Sequence, residues 1–347
     1  MDTPKVKKET KNRIRVDFER APLSERLKSK FMSLNFLKKV IYMIFKIVLL
    51  VGVSYVILYP YITKIFGSFM TASDFEDVTV IMISKHPTLD QYKYIITENH
   101  YFRAVLNTFI ISFTVALVQT LVCALVAYGL AKFKFKGNNI VFLLVIFTMM
   151  VPQETISFAM STYFSYFGTT NPIGMILKAI GVIDQGLINS FAPLYILSAT
   201  ALGFKNGLFI FMLRQFFKGV PDELEESAYV DGSTTFRTFF RIIIPLSIPM
   251  LVTVFIFAFA WQWTDDFYVS SSMFFTQSYL DRPDGFKMIN SIAAVPKSLA
   301  EATKGLDMYA SAIVGTSTIL IAAPLIIMYL FVQNKIVQGI ERSGIVG

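Results

Sequence analysis

The stretch Pro221-Asp-Glu-Leu-Glu-Glu-Ser-Ala-Tyr-Val-Asp-Gly232, which runs on to Ile244-Pro245, is a charged segment set between long apolar ones. Its surroundings are poor in charge: 54% of the 347 residues are apolar and 16% are charged. Several apolar runs reach the length of about 20 residues that crosses a lipid bilayer. The composition therefore indicates an all-α integral membrane protein that keeps one polar segment outside the bilayer, available to a partner.

Six membrane spans are predicted from the apolar runs. Their ranges are about 40–59, 104–131, 140–164, 189–213, 246–268 and 309–332. The third is interrupted at Val151-Pro152-Gln153-Glu154, and the fourth is weakened by Gly203, Lys205, Asn206 and Gly207. This divides the chain into a basic tail, 1–38, and a transmembrane domain, 39–347. The charged segment is the 214–245 loop between the fourth and fifth spans, and 270–308 is a long polar loop on the opposite side.

The distribution of cations predicts the orientation. Of the 32 Lys and Arg residues, 21 lie on the side of the termini and the 214–245 loop, and nine lie on the other side. Cytoplasmic loops carry the excess of Lys and Arg, so we expect both termini and this loop to be cytoplasmic. The net charge of +8 is then a topology signal and does not indicate nucleic-acid binding.

The loop sequence predicts two short helices that meet at a glycine. Pro221 suits a first helical position, and the acidic residues after it complement the positive end of the helix. Gly232 suits the left-handed residue that ends a helix. Ser233 or Thr234 then caps a second helix, which Pro245 closes.

The second helix is predicted to be amphipathic. Its apolar side chains recur at helical spacing, and Arg237 and Arg241 lie on the other side. The stripe consists of Phe236, Phe239, Phe240, Ile243 and Ile244. The pattern is compatible both with a helix lying at the membrane surface and with a docking element for a soluble partner.

The loop resembles the EAA loop of permease subunits of bacterial ATP-binding-cassette (ABC) importers, whose signature is Glu-Ala-Ala-x3-Gly-x9-Ile-x-Leu-Pro. The spacing is intact, and Ser227 and Ile244 replace the usual Ala and Leu. The matching positions, which the resemblance assigns to ATPase coupling, are Glu226, Ser227, Ala228, Gly232, Ile242 and Pro245.

Other segments resemble the carbohydrate-uptake branch, the maltose and multiple-sugar type. They include Asn107-Thr108, Ala127-Tyr128-Gly129-Leu130-Ala131, Met150-Val151-Pro152, Leu213-Arg214-Gln215-Phe216-Phe217 and the end of the chain from Gln338. The resemblance covers about residues 40–347. Thr264 stands where the branch usually has Asn, and Val346-Gly347 replaces its final Lys-Gly.

The resemblance implies that the first loop helix is a coupling helix that sits in a cleft of a separate ATPase. Glu226 would supply a charge contact, Ala228 close packing and Gly232 the bend. The implied partners are a second permease subunit in a heterodimer, two ATP-binding subunits, an extracellular solute-binding protein and membrane lipid. The chain has no Gly-x4-Gly-Lys-Ser/Thr sequence, so ATP and Mg²⁺ are expected on the partner ATPase, with no cofactor on this chain.

A substrate path is predicted from polar groups at membrane depth, which are functional candidates by default. Lys205 precedes Arg214 by nine residues, which is about 13 Å along a helix. The full set is Glu154, Lys205, Gln262, Trp263 and Asp265. Two other interpretations stay open: Lys205 pairs with Glu154 or caps a kink, and Trp261 and Trp263 belong to an interfacial aromatic belt.

No catalytic or metal site is predicted. The single Cys123 excludes an intrachain disulfide, and His86 and His100 lack ligand spacing. The leading interpretation is thus a permease of a carbohydrate importer in the bacterial cell membrane. Its alternatives are an ABC permease for peptides or amino acids, a secondary transporter that works alone, and a membrane enzyme.

Overall fold

The computed structural model describes residues 6–9, 15–18, 34–184, 186–203, 205–268, 273–276 and 287–344. These residues are almost all helical, which confirms the predicted fold class. The exception is an antiparallel pair of short strands within the basic tail, β1 (Val6–Glu9) and β2 (Arg15–Phe18), in which Val6 lies opposite Phe18.

The helices follow one another along the chain. They are α1 (Leu34–Gly67), α2 (Ala72–Glu76), α3 (Asp90–Glu98), α4 (Tyr101–Lys132), α5 (Asn138–Met150), α6 (Gln153–Ser165), α7 (Phe167–Thr170), α8 (Pro172–Ala179), α9 (Ala192–Ala199), α10 (Asn206–Lys218), α11 (Glu223–Val230), α12 (Thr235–Thr238), α13 (Ile244–Trp263), α14 (Lys297–Ala300) and α15 (Asp307–Gly344). A π-helical turn (Phe239–Ile243) joins α12 to α13, and a 3₁₀ turn (Ile289–Ala293) precedes α14.

The chain forms two units, Met1–Lys64 and Ile65–Gly347. The first unit contains the strand pair and most of α1. The helix α1 contains the predicted first span, 40–59, and continues through Pro60 to Gly67. An internal proline removes one helical hydrogen bond, and a membrane helix can accommodate this loss without ending there.

Among the described residues, four helices are long and apolar enough to cross a membrane: Phe36–Gly67, Tyr101–Lys132, Thr235–Trp263 and Asp307–Asn334. A fifth candidate is the pair α5 and α6, which is bent by 100° at the predicted interruption. The bend lies at Val151 and Pro152, both of which have extended backbone. By length and composition the described residues therefore contain four or five span candidates, and the count of six remains a prediction.

The predicted fourth span, 189–213, is two helices in the structure, α9 and α10, of 8 and 13 residues. Ala201 adopts a left-handed conformation with φ of 59° in the break. Near it, the buried Asn206 side chain donates a hydrogen bond to the carbonyl of Leu197 at 3.5 Å. The weakness that the sequence shows here is thus a break in the helix, and neither half has the length of a span.

The main core of the second unit lies where α4, α10, α13 and α15 pack together. Its fully buried side chains include Phe209 and Phe217 from α10, Met250 and Trp263 from α13, and Ile313 from α15. The helix α4 packs against α9, α10 and α13. It therefore runs along the centre of the unit, from the polar cavity described below to the 214–245 loop.

Candidate functional site

The 214–245 loop has the predicted bend at Gly232, whose φ is +78°. The Gly232 amide donates to the carbonyl of Tyr229 at 3.0 Å, and the Ser233 amide donates to Ala228 at 2.9 Å. Thr234 then caps α12, because its side chain accepts a hydrogen bond from the Arg237 amide at 3.4 Å. A β-carbon added at Gly232 would meet nothing within 4 Å, so only the backbone conformation favours glycine here.

Two boundaries of the loop differ from the prediction. The first helix begins at Glu223, and Pro221 lies before it. The second helix does not end at Pro245 but continues through the π-helical turn into α13, so that Thr235–Trp263 is one continuous apolar helix. At this turn the Ile244 amide donates five residues back to Phe239, and the helix continues past Pro245 without ending there.

The four residues from Glu225 to Ala228 differ in exposure: the two outer ones are buried and the two inner ones face solvent. Glu226 and Ser227 are exposed to solvent, whereas Glu225 and Ala228 are buried, with 6% of each residue exposed. Ala228 therefore packs closely within its own chain. Glu226 presents a charge that faces outward.

The apolar stripe of the second helix is only half buried. Phe239 and Ile243 lie in the core, but Phe236 and Phe240 are 68% and 55% exposed. Ile242 is half-buried, and Pro245 is exposed. The exposed phenylalanines are consistent with a position at the membrane surface, where apolar side chains contact lipid.

A group of polar side chains, which we call the α4 tether, attaches α11 to the end of α4. The Tyr128 hydroxyl donates to a Glu225 carboxylate oxygen at 2.9 Å. The Lys132 ammonium donates to the Val220 carbonyl and the Asp222 carboxylate, each at 2.6 Å, and its Nζ lies 3.4 Å from Glu225 Oε1. The side chains of Lys132 and Glu225 are only 7% and 8% exposed.

In the tether one cation, Lys132, lies between two carboxylates, Asp222 and Glu225. The hydrogen bond from Lys132 and its charge hold the pKa of Asp222 below the ordinary value. Asp222 therefore contributes to the tether fully above that ordinary value, and its contribution is lost as the pH falls through the lowered pKa. The sequence reasoning used Lys132 only as a topology signal and missed this arrangement, since nothing in the spacing shows which acidic residue faces α4.

A cavity of about 220 Å³ lies between α4, α10 and α13. Its lining includes Gln119, Lys205, Trp261, Gln262, Asp265 and Tyr268. The Lys205 ammonium lies 3.9 Å from the centre of the Trp261 ring, a cation–π contact. An aromatic face next to amide, carboxylate and ammonium groups can bind a polar solute that also has apolar CH surfaces.

Three of the five predicted path residues line this cavity, namely Lys205, Gln262 and Asp265. Asp265 accepts hydrogen bonds from the amides of Phe267 and Tyr268, each at 3.1 Å. It also accepts one from the Gln262 side chain at 3.2 Å. Asp265 therefore orders the turn after α13 and orients Gln262 toward the cavity.

The other two predicted path residues lie elsewhere. Trp263 is only 1% exposed, and its indole N–H donates to the Ile321 carbonyl of α15 at 3.0 Å. Glu154 is exposed in the first turn of α6, next to Gln153, which does line the cavity. Within the part of the chain that the structure describes, Lys205 forms no ion pair with Glu154 within 4.0 Å; it directly precedes α10. Sequence reasoning missed Gln119, because it lies inside an otherwise apolar span.

An exposed polar loop and an internal polar cavity in a helical membrane protein are features that a membrane transport subunit requires. Residues 120–342 match the family described as "Binding-protein-dependent transport system inner membrane component". The chain belongs to this family, and it is a multi-pass permease subunit of an ABC importer in the cytoplasmic membrane.

Several relatives are similar over most of their length. The chain is 26% identical to the galactooligosaccharides transport system permease protein GanQ of Bacillus subtilis (strain 168), covering 89% of this chain and 98% of GanQ. It is 24% identical to the polygalacturonan/rhamnogalacturonan transport system permease protein YtcP of the same organism, covering 83% and 92%. It is also 24% identical to the arabinooligosaccharides transport system permease protein AraQ of Halalkalibacterium halodurans, covering 85% and 93%.

A solved structure has the same fold. It is the crystal structure of a bacterial ABC transporter involved in the import of the acidic polysaccharide alginate. The TM-score is 0.59 at 19% identity, and the match covers 86% of this chain and 97% of the other.

Proposed function

We propose that this chain forms one half of the translocation path of a carbohydrate importer. The movement of a separate ATPase is transmitted to this chain through its 214–245 loop. The observation that carries the coupling role is the exposure of Glu226 and Ser227 on α11, whose neighbours Glu225 and Ala228 fix the helix to its own chain. A short helix held in this way presents a rigid face to a cleft. The carbohydrate assignment is supported by the names of three relatives, which are transport system permease proteins for galactooligosaccharides, polygalacturonan/rhamnogalacturonan and arabinooligosaccharides.

The proposed complex contains a second permease subunit, forming a heterodimer with this one, two ATP-binding subunits and an extracellular solute-binding protein. ATP and Mg²⁺ belong to the ATP-binding subunits. Both termini and the 214–245 loop lie in the cytoplasm, as the excess of Lys and Arg on that side indicates. Closure of the two ATPases on ATP then moves α11, and the spans alternate between inward-facing and outward-facing states.

The substrate path passes the cavity formed by Lys205, Trp261, Gln262 and Asp265. The Trp261 ring offers a flat surface to the CH face of a sugar, and the polar side chains bind its hydroxyl groups. Trp263 supports the cavity wall from behind, through its hydrogen bond to α15. Glu154 lies beside the cavity at the bend between α5 and α6.

The test is reconstitution of the purified complex in liposomes, with uptake of labelled oligosaccharides measured with and without ATP. We expect an ATPase to co-purify with this chain and uptake to require both ATP and the solute-binding protein. Uptake of peptides or amino acids in place of oligosaccharides would overturn the substrate assignment alone. Uptake by the chain without an ATPase would overturn the coupling role and favour a secondary transporter.

A further inference from the structure

The α4 tether links the proposed ATPase-facing helix to the cavity through a single element. Tyr128 and Lys132 lie one turn apart at the end of α4, and both bind Glu225 of α11. Gln119, which lines the cavity, lies on the same helix nine residues before Tyr128, about 13 Å along the axis. Because α4 is one continuous helix over this distance, a displacement of its end reaches the cavity.

The burial of the tether shows that it is more than a surface ion pair. Tyr128 is 4% exposed, and its ring packs against Phe217 of α10 and Phe239 of the π-helical turn, with centroid distances of 5.8 and 4.7 Å. Exposed ion pairs are weak because water competes for both partners, whereas breaking a buried pair leaves an uncompensated charge. Glu225 is therefore attached to α4, while the next residue, Glu226, remains free for a partner.

We infer that the tether makes α11 and α4 move as one body, with Glu225 as the positioning residue that transmits motion from the ATPase to the cavity. This inference rests on the proposed function, because it assigns a route to the coupling that the proposed function requires. Glu225 acts through Tyr128 and Lys132 and touches neither nucleotide nor solute.

The test measures the distance between α11 and α4 directly, without knowledge of the solute. Spin labels are placed at Val230 and Leu121, which are 88% and 49% exposed. Double electron–electron resonance is recorded on the complete importer, without nucleotide and with Mg-ATP and vanadate. With the tether intact, we expect the same narrow distance distribution in both states. A distance that changes with nucleotide in the otherwise unaltered importer would overturn the inference.

The same measurement is made on Tyr128→Phe, which removes only the hydroxyl, and on Glu225→Gln, which removes only the charge. We expect the distribution to broaden and to shift when nucleotide is added. Lys132→Met should behave in the same way, whereas Lys132→Arg, which keeps the charge, should retain the narrow distribution. Distributions in Tyr128→Phe and Glu225→Gln that match the unaltered protein would overturn the inference.

Glu301→Gln is the matched control, because it breaks an exposed pair with Lys304 by the same chemical change. It should leave the distance unchanged. A failure of the proposed function gives a different result from a failure of the inference: no ATPase co-purifies, and nucleotide has no effect on any label pair. A failure of the inference alone leaves ATPase binding intact while the tether variants behave like the control.

Discussion

Substitution of Gly232 tests the bend between α11 and α12 through a single backbone angle. Its φ of +78° lies in the left-handed region, and the space around it is open. A side chain there meets no neighbour, so the whole effect comes from the backbone. For alanine the left-handed conformation is less favourable by about 1 kcal/mol or somewhat more. This lowers the equilibrium constant for the bent conformation about fivefold, because about 1.4 kcal/mol is tenfold.

The series Gly232→Asn, Gly232→Ala and Gly232→Val grades this effect. Asparagine tolerates the left-handed region, and a β-branched residue is a genuine outlier there. We expect ATP-driven oligosaccharide uptake to fall slightly for asparagine, by up to about fivefold for alanine and further for valine. Uptake is measured in reconstituted liposomes and divided by the amount of inserted chain, which should not change.

Gly137 provides the matched control, because its φ is +93° and a β-carbon there also meets nothing within 4 Å. It lies before α5, outside the 214–245 loop. Gly137→Val should reduce uptake less than Gly232→Val. Equal uptake by Gly232→Val and the unaltered chain would refute the requirement for the bend, and equal losses at both glycines would show a general effect on folding.

Three further substitutions separate the roles of neighbouring residues. Glu226→Gln should weaken co-purification of the ATPase, whereas Glu223→Gln, on the same exposed helix, should leave it unchanged; equal effects would contradict a specific contact. Lys205→Met should reduce uptake while the ATPase still co-purifies, and Lys205→Arg should retain part of the uptake; normal uptake by Lys205→Met would remove Lys205 from the path. Trp263→Phe loses the hydrogen bond to Ile321 and should lower the stability by about 1 kcal/mol, as seen in thermal unfolding, with uptake retained; a loss of uptake at unchanged stability would return Trp263 to the path.

Local features that depend on one residue type were predictable from the sequence. Only glycine adopts a positive φ at low cost, and Ser and Thr are preferred capping residues, so the bend at Gly232 and a cap at Ser233 or Thr234 follow directly. The bend at Pro152 follows in the same way. These predictions need no knowledge of distant residues, and the structure shows all three features.

Features that depend on packing between distant segments were not predictable. The EAA spacing singles out Glu226, but only the fold shows that its neighbour Glu225 lies against Tyr128 while Glu226 lies in solvent. For the same reason Trp263 was assigned to the substrate path, although it faces α15. The continuity of α12 with α13 was also missed, since a proline within a helical pattern usually marks an end, and the π-helical turn that accommodates Pro245 has no sequence signature.

Labelling of α11 tests the central claim most directly. Ser227→Cys places a thiol on the exposed face of α11, while the native Cys123 is fully buried. A membrane-impermeant maleimide should modify Cys at this position only from the cytoplasmic side of the membrane, and assembly with the ATPase subunits should protect it. Modification from the external side, or labelling that the ATPase does not reduce, would contradict a coupling helix that docks into the ATPase.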